Sequence, residues 1–152
     1  MRESIGGAWL LGIVMTFIVL FASFLAVSIN YSKAFKVKNN VVDLIEKNEG
    51  VNSSTVADIY NYLQSEGYIL KGPCRNGGKG FDKDGVATNQ SKSLYCVKEN
   101  KIQDSDTGLE KSYYSVEVFF RLDLPIFGDV FTFHVNGETM SIYFPKNGWT
   151  LS

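Results

Sequence analysis

The stretch SINYSKAFKVKNNVVDLIEKNEG, residues 28–50, decides the fold. It follows directly on a long uncharged run. It reads either as a linker leaving a hydrophobic segment or as the same helix continued into water. Ala34, Val37, Val41 and Leu44 recur at spacings of three, four and three, and Phe35, Val42 and Ile45 widen that stripe. Lys36, Lys38, Asn39, Asn40, Asp43, Glu46 and Lys47 lie between them. A period near 3.6 marks an amphipathic helix with one core-facing seam. Neither Gly nor Pro occurs between Leu25 and Asn48, so no residue type breaks the helix where the uncharged run ends. The alternative is a break near Asn30–Lys33 followed by a separate helix. The unbroken period favours one rod of roughly 40 residues, stopped by NEGVNSS with Gly50 as the expected C-cap.

Upstream, no residue from Ser4 to Ser32 is charged. The core AWLLGIVMTFIVLFASFLAVSI (8–29) is long enough, at about 1.5 Å per residue, to cross roughly 30 Å of hydrocarbon. Trp9 and Tyr31 stand where interfacial aromatics are favoured. Gly6, Gly7, Gly12, Ala22, Ser23 and Ala26 are small positions where another helix could approach closely. The run reads as a retained anchor or as a cleaved signal with Ala26-Val27-Ser28 as its small-x-small site. Its length, beyond the usual h-region of about 7–15 residues, and the presence of Arg2 alone before it favour retention.

Lys33, Lys36 and Lys38 would place the C-terminal part in the cytoplasm on a literal positive-inside count. Cys74 and Cys96 argue the other way. They flank a segment rich in Gly, Lys and Asp and fit a disulfide, which needs an oxidising compartment. Two unrelated buried thiols are the other reading. Because a domain of this size translocates largely regardless of nearby charge, the expected arrangement is a single-pass chain with an extracytoplasmic C-terminal domain.

Downstream, SSTVADIYNYLQSEGYIL (53–70) offers Ser53, Ser54 and Thr55 as cap candidates, with Thr55 and Asp58 approximating a capping box. Val56, Ile59, Tyr60 and Leu63 form a helical stripe ended by Gly67, and YILKG (68–72) is a candidate strand. PCRNGGKGFDKDGVATNQSKSLYC (73–96) reads as an exposed polar loop clasped at both ends. DKDG and DSDTG lack the ligand ladder and closing Glu of a calcium loop, so they read as solvated turns. In YYSVEVFFRLDLP (113–125), Val116, Val118, Phe120, Leu122 and Leu124 alternate with Ser115, Glu117, Phe119, Arg121 and Asp123, the mark of a half-buried strand. After a turn at Pro125–Gly128, Asn136-Gly137 in DVFTFHVNGETMSIYF predicts a two-residue hairpin. That register sets Val135 opposite Glu138 and Phe133 opposite Met140. Phe131, Phe133, Val135, Met140 and Ile142 then share an inward face, and Thr132, His134, Thr139 and Ser141 a solvated one.

Composition narrows the function. Fifteen basic against 16 acidic residues leave no excess to neutralise a phosphate backbone, so a nucleic-acid partner is not expected. One His and two Cys make a poor metal site or Cys–His pair, and no Ser–His–Asp set or phosphate loop accompanies them. The sequence therefore predicts no enzyme, no cofactor and no metal. The expected class is α+β: a long N-terminal helix, transmembrane then amphipathic, packed on a C-terminal antiparallel sheet, with a short second helix. Residues 1–32 form the tail and membrane helix, and 33–152 the head, including the helical extension 33–48.

This order of elements resembles the type IV pilin and pseudopilin plan. The N-terminus RESIGGAWLLGIVM (2–15) is similar to the Tad-type (TadE-like) minor pilins, in which a short charged tail with Gly leads into the hydrophobic helix. The resemblance implies membrane-stored subunits packing helix against helix into a surface filament or pseudopilus. Their partners would be the membrane and other pilin-like subunits. The assembly contacts it suggests here are Glu3, Trp9, Phe17, Phe21 and Phe24. The chain departs from the pilin pattern in having no acidic residue soon after Gly6 or Gly7. Glu3 takes the role of the buried acid, pairing with a neighbour's terminal amine, or is an interfacial charge beside Arg2. The competing functional readings are a solitary membrane-anchored binding module of a cell-envelope complex and a secreted soluble domain.

Overall fold

The computed structural model describes residues 2–124 and 128–146; for residues 2–5, 122–124 and 128–131 it describes the backbone alone. A single helix, α1, runs without interruption over Arg2–Lys47, 46 residues. The break considered near Asn30–Lys33 does not occur. α2 covers Ser53–Ser65, and the strands follow as β1 Lys79–Asp82, β2 Gly85–Val86, β3 Tyr95–Gln103, β4 Glu110–Leu124, β5 Gly128–Glu138 and β6 Ile142–Tyr143. The class is α+β, as the periodicities require.

The strands form one antiparallel sheet in the order β2-β1-β3-β4-β5, with β6 beside β4 where β5 has ended. One face of this sheet meets the seam of α1. Ala34, Val37, Val41 and Ile45 are buried against Tyr95, Val97, Tyr114, Val116, Val118 and Val135. Leu44 and Val42 are partly buried at the margins, and Phe35 is exposed. Each full burial of a Val- or Ile-sized side chain removes apolar surface worth about 1.5–3 kcal/mol. The seam is therefore a major part of what holds head and helix together. α2 adds Val56, Ile59 and Leu63 to the same core.

Both helices end in the same hydrogen-bond pattern with different residues. In α2, Tyr68 N–H donates to the Leu63 carbonyl and Gly67 N–H to that of Gln64, with Gly67 in the left-handed region at φ 62°. In α1, Gly50 N–H donates to Ile45 and Glu49 N–H to Glu46, so the left-handed position falls on Glu49, φ 56°. The stop lies one residue before the expected Gly50, at a side chain that glycine would relieve of strain. The N-cap of α2 is Asn52, whose side chain accepts from Thr55 N–H; neither Ser53 nor Ser54 caps it. Thr55 donates its hydroxyl to the Gly50 carbonyl at 2.8 Å, and Asp58 accepts from Asn48 across the connection, so no capping box forms.

Three strand expectations are corrected. Residues 68–72 form no strand; they run across the other face of the sheet, with one isolated backbone bridge, Gly72 to Ser93. The segment 73–96 is not simply a polar loop, since it folds into β1, β2 and a 3-10 turn at Gln90–Lys92 and joins the sheet through Tyr95. Asn136-Gly137 makes no hairpin: β5 passes straight through it, with Asn136 opposite Glu117 and Gly137 opposite Val116. A side chain at Gly137 would strike the Lys38 methylenes. That glycine serves the close approach of α1, not a turn. Met140 is consequently exposed rather than inward, and Phe133 is exposed too, while Val135 keeps its inward place. The turn expected at Pro125–Gly128 and the inward positions of Leu122, Leu124 and Phe131 lie outside the described side chains.

Candidate interaction surface: the apolar half of the long helix

The lower half of α1 leaves the head bare. Every residue from 8 to 22 is exposed. α1 is long and apolar enough to cross a membrane, with an 18-residue window at mean hydropathy 2.7 and none of it buried. The two hydroxyls that would be costly in an apolar setting are satisfied within the helix. Thr16 donates to the Gly12 carbonyl at 2.9 Å and Ser23 to that of Val19 at 2.8 Å. Nothing polar on this stretch then asks for water.

Of the residues expected to mediate assembly, Trp9 and Phe17 are 75% and 71% exposed, and Phe21 and Phe24 are exposed as well. Phe17, Phe21 and Phe24 are spaced i, i+4, i+7 and so share one face. Trp9, Ile13, Phe17 and Leu20 border a shallow groove floored by Gly12. A side chain at Gly12 would meet nothing within 4 Å, so the groove is a notch between large residues on an otherwise filled cylinder. The side chain of Glu3 lies outside the described residues.

The sequence reading missed the second face of the sheet. Glu117 and Phe119, on the face of β4 opposite Val116 and Val118, are buried as well, Glu117 to 1% exposure. Residues 68–76 cover them. Tyr68 donates its hydroxyl to the Phe119 carbonyl at 2.7 Å and accepts from Phe119 N–H at 2.8 Å. Burial pushes that phenol well above its ordinary range, so it remains a neutral donor. Gly72 crosses so tightly that a side chain there would lie 2.7 Å from the Phe119 ring. The crossing is fastened by the Cys74–Cys96 disulfide, with the two Cα atoms 5.7 Å apart. Beyond it, Arg75 and Asn76 direct their backbone N–H groups at Glu117 Oε2, at 2.9 and 3.3 Å.

The other Glu117 oxygen meets His134 Nδ1. His134 is thus no solvated strand histidine: its ring is almost wholly buried, set edge-on to Phe119 with centroids 5.1 Å apart. The signal that could have found this pair was Cys96, which stands opposite Glu117 on β3 and whose bridge to Cys74 must carry chain across that face.

DKDG and DSDTG are both turns. Burial opposes the ionisation of Asp82, yet the bonds from Lys71 and from Lys83 N–H, with the charges of both lysines, together outweigh it and hold the carboxyl below its ordinary range. Asp104 accepts from Asp106 N–H, Tyr143 and Lys111, and these bonds hold it well below that range. Among the described residues, no group of three or more His, Cys, Asp or Glu is arranged to hold a metal ion. No known family model, curated protein or solved structure matches the chain.

Proposed function

We propose that the chain is a membrane-anchored, pilin-like structural subunit that assembles through its N-terminal helix into a surface filament or pseudopilus. The observation that carries this reading is the unbroken helix itself: one half is spent on the head's core, and the other half is apolar on all sides and left without cover. Such a surface has two compatible destinations, lipid and the like helices of neighbouring subunits. The Gly12 notch between Trp9 and Phe17 gives a neighbour's aromatic side chain a place to seat. The disulfide supports an extracytoplasmic head. The reading assigns the chain no catalytic chemistry and no cofactor.

Negative-stain imaging of material sheared from the cell surface tests it. Filaments containing the chain are expected, lost in Phe17→Ala and Glu3→Ala while membrane insertion persists. A chain that stays in the membrane fraction and never appears in filaments would instead be a solitary anchored module. Release into the medium about 3 kDa lighter would mark a secreted domain.

A further inference from the structure

The length of α1 fixes where the head's underside must sit, and this inference rests on the membrane-spanning reading above. A hydrocarbon core of about 30 Å takes about 20 helical residues. Centred between the flanking charges Glu3 and Lys33, it extends from near Trp9 to near Ser28. The next turns of α1 then lie among lipid headgroups, and there the head first packs against one side of the helix, burying Ala34 while Ile29, Ser32 and Lys33 stay exposed. One cleft is lined by Leu25, Ser28, Ile29, Ser32, Lys33 and Lys36. A second, of about 130 Å³, runs from Asn30 and Lys33 to Ile69, Phe120 and Arg121. A third continues from Ile69 and Arg121 to Lys71 and Lys92.

The chemistry of this ring is unusual for a solvated surface. Ile69 is 81% exposed and sits between cations. Lys36 and Lys71 are engaged by Glu66 and Asp82. Lys33 and Lys92 are exposed and make no ion pair among the described residues. Tyr31 packs edge-on to Phe120 at 5.8 Å, and Phe120 stacks on the exposed Phe133 at 5.0 Å, which adds aromatic surface at the same level. Exposed apolar and aromatic groups rimmed by Lys and Arg are suited to the boundary where acyl chains give way to phosphates.

We infer that the underside of the head is a phospholipid-contact surface. Lys33 and Lys92 face lipid phosphates, and Ile69 rests at the depth of the glycerol backbone. The anchored head thereby rests against the bilayer surface instead of tipping away from it with the rod.

The test uses the full chain in phosphatidylcholine–phosphatidylglycerol vesicles containing lipid with a nitroxide on its headgroup. A fluorophore is placed at Ile69→Cys, Met140→Cys or Phe17→Cys, with intact mass showing one label and the native disulfide retained. Met140 donates its backbone N–H to Glu46, about 20 Å farther along the helix than Lys33, and so reports the head's far end. Strong headgroup quenching at Ile69 and weak quenching at Met140 are expected. Lys33→Glu is expected to lower the docked-to-lifted ratio read at Ile69 by about fivefold per unit of charge changed.

Equal quenching at Ile69 and Met140, or an Ile69 label shielded from both the nitroxide and a water-soluble quencher, overturns the inference. An Ile69 signal indifferent to Lys33→Glu overturns the phosphate contact. The Phe17 label, read against acyl-chain nitroxide, separates the two levels: quenching there without quenching at Ile69 sinks this inference alone. No quenching at Phe17 sinks the spanning reading with it.

Discussion

The two halves of α1 obey the same backbone geometry and opposite environmental rules. Above Lys33 the helix presents a narrow seam, Ala34, Val37, Val41 and Ile45, to a sheet that buries it, with Val42 and Leu44 at the margins and mostly charged or amide side chains elsewhere. Below Ser23 it is apolar around its whole circumference and buried nowhere from 8 to 22. The upper half has a required rotation about its axis, since a turn of 100° would bring Lys38 and Glu46, or Lys33 and Lys36, toward the core. The lower half has no such constraint from the head. A stripe thus specifies an orientation within one chain, whereas an all-round apolar cylinder specifies only a medium or a partner.

A charge placed on each half gives the largest effect. Val41→Asp puts an unpaired carboxylate into the core and is expected to cost upward of about 4 kcal/mol, enough to unfold the head. Phe17→Asp should leave the head's cooperative melt unchanged in detergent. Equal losses in the two melts would break the contrast between the halves.

Removing the disulfide by Cys74→Ser with Cys96→Ser should cost on the order of 3 kcal/mol in denaturant titration, given its closed loop of 22 residues. The loss should appear first as exchange of the Arg75 and Asn76 amides that hold Glu117. Ile45→Val trims the seam by one methylene and should lower stability by about 1 kcal/mol, without altering helix content.

The smallest effect lies outside the helix, at the turn after β3. Asp104 is held below the ordinary aspartate range in the folded state, so its contribution is complete above that range and is lost as the pH falls through and beneath it. Asp104→Asn should therefore melt earlier than the unaltered chain at pH 7. The gap should close on acidification below about pH 4.

The rod was the most legible feature. Its period is local, its interruptions are absent, and 46 residues of one helix give a pattern no short-range accident imitates. Asn136-Gly137 misled because a glycine needed for close approach of Lys38 has the same letter as one needed for a turn, and only the packed helix distinguishes them. The alternation in β4 separates its two faces, but Glu117 and Phe119 on the second face are buried too. Alternation says which residues share a face; it does not say whether a second layer lies over that face. Here the layer comes from residues 68–76, some 40 positions away, and Tyr68 looked like the start of a strand. His134, expected on a solvated face, lies under the same layer against Glu117. Of the surface residues, Trp9, Phe17, Phe21 and Phe24 could be named because exposure of large apolar groups follows directly from an unstriped cylinder.

Head and helix also meet along their lengths. Met140 touches Glu46, Gly137 lies against Lys38, and Phe120, beside Phe133, packs on Tyr31, so the sheet tracks the helix for several turns. A tug on the head along that axis would load the seam in shear, straining its contacts together instead of peeling them one by one. With no Gly or Pro between Ile13 and Asn48, the tension would pass down a rod that has no hinge in which to dissipate it.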